Sequence, residues 1–207
     1  MKRLRYTLLA DGSSDRALMP ILSWAIRDRG YLIEQEAWAD FSYLPQRSVG
    51  LRDRAKAAVE HYPCDVLFIH RDAEAEPWNR RLAEIRDAVR PIGCLHVCVI
   101  PVRMTEAWLL HDETAIRRTS GNPNGTMPLN LPNVSDVETL IDPKSVLHQA
   151  ILKASAASGR RLKRKKRDLT AMKFRLTDLI EEYRQLEKVP AFAAFLDELD
   201  EALRTLF

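Results

Sequence analysis

The chain has 207 residues and a formal net charge of +3, with 46% hydrophobic and 29% charged residues. These values are ordinary for a globular protein and exclude a disordered or fibrous chain, and the length suits one main domain, alone or with an appendage. The three cysteines are too few and too unevenly spaced for a disulfide framework. We find no membrane span and no secretory signal, so we expect a cytoplasmic protein.

The first half of the chain alternates between strand and helix patterns. Short apolar runs predict three strands, a segment that mixes β formers with charged residues predicts a fourth, and apolar residues at helical spacing predict three helices between them. The strands are predicted at residues 4–9, 31–37, 65–70 and 95–100. The helices are predicted from Ser13 or Ser14 to Gly30, at 48–62 and at 77–90. Such alternation predicts an α/β fold with a mainly parallel sheet flanked by helices, because a parallel crossover needs a helix-length connection.

The pattern changes after residue 105, where no further strand is indicated. Helical spacing predicts helices at 106–118, 143–158, 169–187 and 190–206. Between the first two lies a segment rich in Gly, Pro and Asn, which predicts a loop. We therefore divide the chain into an α/β domain at 1–118, a loop at 119–134 and a helical C-terminal region at 135–207.

Acidic side chains follow two of the predicted strands. Asp11 comes just after the first strand, and Asp72 and Glu74 come just after the third. Ligands bind beyond the carboxyl ends of parallel strands, so we expect these carboxylates to converge there. Clustered carboxylates repel one another unless a cation neutralises them, and Mg²⁺ or Mn²⁺ suits so sparse a set of oxygen ligands. The alternative is that Asp11 belongs to an ordinary Asp-Gly turn and that the other two are solvated loop charges.

Three further charged residues adjoin this predicted site. Glu106 begins the predicted helix beyond the fourth strand and could supply a fourth carboxylate, although acids in a first helical turn are also favoured by the helix dipole. Arg71 and Arg103 could each hold a phosphate bidentately, or could simply pair with neighbouring acids.

The C-terminal region contains a dense basic run within residues 159–167. Its seven basic residues are Arg160, Arg161, Lys163, Arg164, Lys165, Lys166 and Arg167. Like charges at this density repel, and they gain most by contacting phosphates. The run therefore predicts salt-dependent binding of DNA or RNA, with a solvated or partner-facing linker as the alternative.

Two motifs resemble those of a known family. The turn Asp11-Gly12-Ser13-Ser14-Asp15 and the later Asp72-Ala73-Glu74 resemble the acid-Gly-x-x-Asp and Asp-x-Asp signature of the Toprim domain. Segments 69–74 and 101–110 also resemble small bacterial Toprim-like proteins close to the RloB and OLD nucleases. The family usually has Glu at the first acid and Asp at the last, so Asp11 is one methylene shorter and Glu74 one methylene longer.

The resemblance implies a Toprim-like, Rossmann-like sheet in the first half of the chain. It implies that Asp11, Asp72 and Glu74 hold the metal and are catalytic, with Glu106 as a further ligand and with Gly12 and Asp15 supporting the turn. The implied activity is Mg²⁺- or Mn²⁺-dependent cleavage of phosphodiester bonds in DNA or RNA, with Asp11 as the base if one metal binds.

The resemblance also implies a biological setting, namely a bacterial anti-phage defence system in which the nuclease works with an ATPase. The main alternative is a non-catalytic subunit that binds such a partner and retains a vestigial metal site. A third alternative is phosphoryl transfer or primase-like chemistry on a nucleotide, which ranks last because the chain has no Gly-rich phosphate loop of the Walker type.

Overall fold

The computed structural model describes residues 2–41 and 50–207. Its centre is a four-stranded sheet in the order β2-β1-β3-β4, in which every neighbouring pair is parallel. The strands are β1 (Arg3–Leu9), β2 (Leu32–Trp38), β3 (Val66–His70) and β4 (His96–Val99). The predicted α/β class and parallel sheet are confirmed, with β1 and β3 as the two interior strands.

Helices flank both faces of the sheet. The described residues form α1 (Met19–Asp28), α2 (Leu51–His61), α3 (Trp78–Val89), α4 (Glu113–Thr119), α5 (Pro143–Ala154), α6 (Gly159–Arg167), α7 (Leu169–Leu179) and α8 (Pro190–Leu206). Short 3₁₀ segments lie at Ser13–Leu18, Arg90–Ile92, Thr105–Leu109, Val134–Thr139 and Arg184–Lys188. None of the helices in residues 2–41 and 50–207 combines the length and apolar character needed to cross a membrane.

Side chains of the interior strands alternate between the two faces, as the period of two in a strand requires. One face, which we call the α8 face, receives Leu8 of β1 and Phe68 of β3 and packs against α1 and α8. The opposite face, the α2–α3 face, receives Leu9 of β1 and Ile69 of β3 and packs against α2 and α3. Each strand therefore contributes to two separate buried clusters.

The C-terminal helices complete the core of the α8 face. Phe192 and Phe195 of α8 are fully buried, and the ring of Phe192 meets Trp108 edge-on at 4.9 Å between centroids. Phe195 lies 6.2 Å from Phe68 of β3, again between ring centroids. Region 135–207 therefore shares one hydrophobic core with the sheet.

Three predicted helices differ in their boundaries. The one predicted at 106–118 is divided, because the Asp112 side chain accepts a hydrogen bond from the Ala115 amide at 2.8 Å and starts α4 afresh. The one predicted at 143–158 ends at Ala154, and Ala156, whose backbone is left-handed, lies between it and α6. The one predicted at 169–187 ends at Leu179, followed by extended Ile180.

The first two helices also differ from the prediction at their starts. Gly12, rather than either serine, precedes the 3₁₀ turn that leads into α1, and its amide donates to the Asp15 carboxylate at 2.9 Å. The second predicted helix begins in the structure at Leu51, whereas residues 48 and 49 of the prediction lie outside the described residues.

Candidate functional site at the carboxyl edge of the sheet

Asp11 lies in the turn after β1 and is held by two arginines. Its carboxylate accepts from Arg54 of α2 at 2.7 Å and from Arg71, just after β3, at 3.0 Å. Arg71 also pairs with Glu84 of α3. Partial burial opposes ionisation, but the two guanidinium groups outweigh it and hold the pKa of Asp11 below its usual value. The carboxylate is therefore a weaker base than a free aspartate.

Asp72 lies in a different environment beyond the end of β3. Its Oδ1 accepts a hydrogen bond from the Thr105 amide at 3.0 Å. Burial raises the pKa of Asp72 to about 6, and the charges of Asp15 and Glu106 add to this shift, while His70 and the Thr105 amide oppose it. Asp72 is thus a carboxylate whose negative charge is incompletely compensated by the protein.

His70 lies near both Asp72 and Asp15. The His70 ring is 2% exposed, and its Nδ1 lies 3.0 Å from the Val99 carbonyl, which can only accept a hydrogen bond. The proton on this side of the ring must therefore be on Nδ1. Its Nε2 lies 3.6 Å from the Asp72 carboxylate and 4.0 Å from that of Asp15. Asp15, predicted to support the turn, also faces the centre of the site.

Glu106 reaches the same region but already has a cationic partner. It is buried in the 3₁₀ segment Thr105–Leu109, and its carboxylate lies 3.2 Å from Nζ of Lys173 on α7. Both side chains are less than 10% exposed. The carboxylate predicted as a fourth metal ligand is thus engaged in a buried ion pair.

Glu74 and Arg103 lie in the loops that follow β3 and β4. Both have left-handed backbone conformations, with φ of 54° and 66°, and the Glu74 amide donates to the Arg103 carbonyl at 3.1 Å. The Glu74 side chain is exposed and that of Arg103 is half-buried. This backbone contact joins the two loops at the carboxyl edge of the sheet.

The separation of Asp11 from Asp72 follows from the alternation of side chains. Asp11 lies two residues after Leu9 and continues onto the α2–α3 face, where it meets Arg71, itself two residues after Ile69. Asp72 lies two residues after His70, which shares the side of Phe68. Neighbouring strand ends therefore bring the acidic segments together, but direct their carboxylates to opposite sides.

The acidic side chains at this edge offer few ligands for the implied Mg²⁺ or Mn²⁺. Within the described part of the chain, no three His, Cys, Asp or Glu side chains form a group ready to hold a metal. Mg²⁺, however, commonly uses one or two carboxylates and completes its shell with water and phosphate. Asp72, with Asp15 close by and its charge incompletely compensated, fits that sparse requirement.

The basic run forms helix α6. None of its seven basic side chains is buried. Lys165 donates to the Ser120 carbonyl at 2.7 Å, and Arg164 lies 4.0 Å from Asp168. The helix therefore presents a concentrated positive charge to solvent, as contact with phosphates requires.

Comparison with protein-family models, curated proteins and solved structures gives no match for this chain. The class of this protein therefore follows from its own geometry. It is an α/β protein with a four-stranded parallel sheet and a histidine–carboxylate cluster at the carboxyl edge.

Several site residues lay outside the sequence predictions. Arg54 and Lys173 pair with predicted acids from distant helices, and Thr105 orients Asp72 through its backbone amide. Long-range pairing of this kind leaves no local pattern. The place of His70 in the site could have been predicted. It ends a buried strand two residues before Asp72, so its side chain points to the same side of the sheet.

Proposed function

We propose that the protein is a metal-dependent nuclease with a Toprim-like site, cleaving phosphodiester bonds in DNA or RNA. The observation that carries the proposal is the cluster in which the carboxylates of Asp72 and Asp15 lie 3.6 Å and 4.0 Å from Nε2 of the buried His70. Neighbouring carboxylates repel one another and are stabilised by a cation, and burial together with nearby Asp15 and Glu106 raises the pKa of Asp72. Its position beyond an interior parallel strand is where this kind of sheet binds ligands.

Each residue of the site has a distinct part in the proposed reaction. Asp72 and Asp15 would hold Mg²⁺ or Mn²⁺, and Glu74, exposed at the same edge, is a candidate further ligand. When bound, the cation stabilises negative charge on the phosphoryl oxygens and activates water. His70 lies beside both carboxylates, with its Nε2 3.6 Å from Asp72 and 4.0 Å from Asp15. Arg71 and Arg103 would contact phosphate, Arg71 by exchanging its bond to Asp11.

The exposed basic helix α6 supports nucleic acid as the substrate class. It supplies charge for the backbone without belonging to the acidic cluster. In the same proposal the protein is an effector of anti-phage defence that works with an ATPase, which extends the resemblance of the two acidic motifs to Toprim-like nucleases.

The proposal is tested with purified protein, Mg²⁺ or Mn²⁺, and end-labelled RNA and DNA pools. We expect metal-dependent cleavage by the wild type and at least a 100-fold loss in Asp72→Asn. The matched control is Asp87→Asn, the same substitution at a side chain of α3 that is 71% exposed. Cleavage that survives in Asp72→Asn, or that is lost equally in Asp87→Asn, contradicts the proposed site.

A second candidate function is a non-catalytic subunit that binds a partner and has a vestigial metal site. The observation in its favour is that protein cations already neutralise two of the acids, since Asp11 pairs with Arg54 and Arg71, and Glu106 pairs with Lys173. If this candidate is correct, the wild-type protein should give no metal-dependent cleavage product. This candidate also requires that millimolar Mg²⁺ leaves the thermal unfolding temperature unchanged, whereas a functional site is stabilised by its ligand.

A further inference from the structure

The basic residues of α6 are not equivalent, because only some of them line a groove. Arg160, Arg161, Arg164 and Lys165 lie along one side of the helix and bound a groove of about 660 Å³. Arg175, on the neighbouring helix α7, contributes a fifth cation from another element. The other three basic residues, Lys163, Lys166 and Arg167, do not line this groove. The charge of the run is thus divided between a recess and an open surface.

The groove carries a large excess of positive charge. Among the described residues that line it, Asp168 is the one acid against five cations, and it lies 4.0 Å from Arg164. Partial burial lowers the pKa of Lys165, and repulsion from Arg161, Arg164 and Arg175 adds to this effect. Cations that repel one another in a recess are stabilised by an anion placed between them.

The groove is also held in shape before any ligand binds. The Lys165 ammonium donates to the Ser120 carbonyl at 2.7 Å, which ties α6 to the end of α4. Thr119, the last residue of α4, forms part of the lining and is 3% exposed. Three helices therefore meet around the recess, so less ordering is needed when a ligand enters.

We propose that this groove is a binding site for a phosphate monoester, such as the phosphorylated end of a nucleic-acid strand or a free nucleotide. A monoester carries about −1.5 to −2 charges near pH 7 and offers three acceptor oxygens, whereas a backbone diester carries a single charge. Five cations around one recess favour the more highly charged group, and arginines on two elements can hold it from both sides. The inference deepens the proposed function by naming the end group that the basic region selects.

The test measures binding in EDTA, so that it is independent of metal and of cleavage. Labelled single strands carry a 5′-phosphate, a 3′-phosphate or hydroxyls at both ends, and a nucleoside 5′-monophosphate is a competitor that distinguishes a strand end from a free nucleotide. We expect at least tenfold tighter binding of one phosphorylated strand than of the hydroxyl strand at about 150 mM salt, where exposed charges are screened beyond roughly 8 Å.

Two charge-matched triple variants locate the effect. Arg160→Gln, Arg161→Gln and Arg164→Gln together should reduce the preference for a phosphorylated end to less than twofold. Lys163→Gln, Lys166→Gln and Arg167→Gln remove the same charge outside the groove and should retain the preference. Arg175 is exposed on α7, so Arg175→Gln should not disturb folding. This variant should lower the preference for a phosphorylated end at least threefold, and it keeps the test valid if the triple groove variant folds poorly.

Equal affinity of the wild type for phosphorylated and hydroxyl strands overturns the inference. So does an equal loss of preference in the two triple variants, which would show a general basic surface. Absence of metal-dependent cleavage contradicts the proposed nuclease but leaves this binding result unaffected, so the two failures are distinguishable.

Discussion

Asp11 and Asp72 follow neighbouring strands of one sheet, but their surroundings shift their pKa values in opposite directions. Two guanidinium groups stabilise the charged form of Asp11 against its partial burial. Asp72 is more deeply enclosed, and its neighbours include two further acids. A group whose pKa is raised by folding weakens the fold once it ionises, whereas a group whose pKa is lowered strengthens it.

Asp72→Asn should therefore stabilise the metal-free protein at pH 7. The folded state holds the Asp72 proton up to about pH 6, whereas the unfolded chain releases it near about pH 4. The contribution of Asp72 to stability thus falls as the pH rises through this window, by about 3 kcal/mol in total. The amide oxygen of Asn can still accept from Thr105. Urea unfolding from pH 4 to pH 7 should show the stability of the variant rising relative to that of the wild type as the pH increases.

Asp11→Asn is the matched substitution with the opposite expected sign. Since folding lowers the pKa of Asp11, its contribution is present above the unfolded pKa and is lost as the pH falls. The variant should be less stable than the wild type at pH 7. The cost should be below about 1 kcal/mol, because the side chain is 47% exposed and screened by solvent. A gain in stability in the same urea titrations would contradict the arginine clamp.

Much of the arrangement of these acids follows from the sequence. The strand ends, and hence the meeting of the two acidic segments, were predictable from apolar runs. The direction of each carboxylate was predictable too, because Asp11 shares the phase of Leu9 and Asp72 that of His70. The partners Arg54 and Lys173 could not be predicted, because each comes from a helix whose docking is a tertiary property.

At the scale of elements, α7 joins the acidic site to the basic groove. Lys173 points to the buried Glu106, and Arg175, two residues on, lines the groove against α6. The 3₁₀ segment that contains Glu106 also provides the Thr105 amide that holds Asp72. The position of α7 thus affects both surfaces that the proposed function requires.

Removing one partner of the buried ion pair should be costly. Lys173→Met leaves the Glu106 carboxylate buried without its counter-charge, and we expect a loss of about 3–5 kcal/mol in the free energy of unfolding. The double variant with Glu106→Leu should recover most of that loss, because the uncompensated charge is gone. Chemical denaturation of both variants measures the difference. A double variant as unstable as the single one would show that packing, rather than charge, accounts for the cost.

Strands were easier to predict than helices in this chain. All four strands lie within one residue of their predicted ends. For β1, β3 and β4 the reason is that a buried strand is an apolar run with sharp boundaries. Helix 190–206 was also predicted correctly. The divided helices were not, since their breaks depend on a single cap at Asp112 and on left-handed backbone at Ala156, which helical spacing does not show.

At the scale of the whole molecule, one core spans the boundary that composition suggested. Buried aromatic residues of α8 pack on Trp108 and on Phe68 of the sheet. Without α8 and α7, the α8 face of the sheet would expose a large apolar surface. The helical region is therefore structural as well as a carrier of positive charge.

A fragment of residues 1–134 should accordingly fail to fold cooperatively. Loss of the helices removes the partners of several fully buried side chains, each contributing about 1.5–3 kcal/mol of burial, against a total stability of about 5–15 kcal/mol for a typical domain. Circular dichroism on heating should show a sigmoidal transition for the full chain and a gradual change for the fragment. A sharp transition in the fragment would show that the sheet is an autonomous domain.

The alternation of side chains along β1 and β3 also determines how the site can change in evolution. One residue inserted or deleted at the end of β3 would exchange the sides of Arg71 and Asp72 and dismantle both ion clusters at once. A substitution at either position, by contrast, leaves the phase of the strand unchanged and so alters only one of the two clusters.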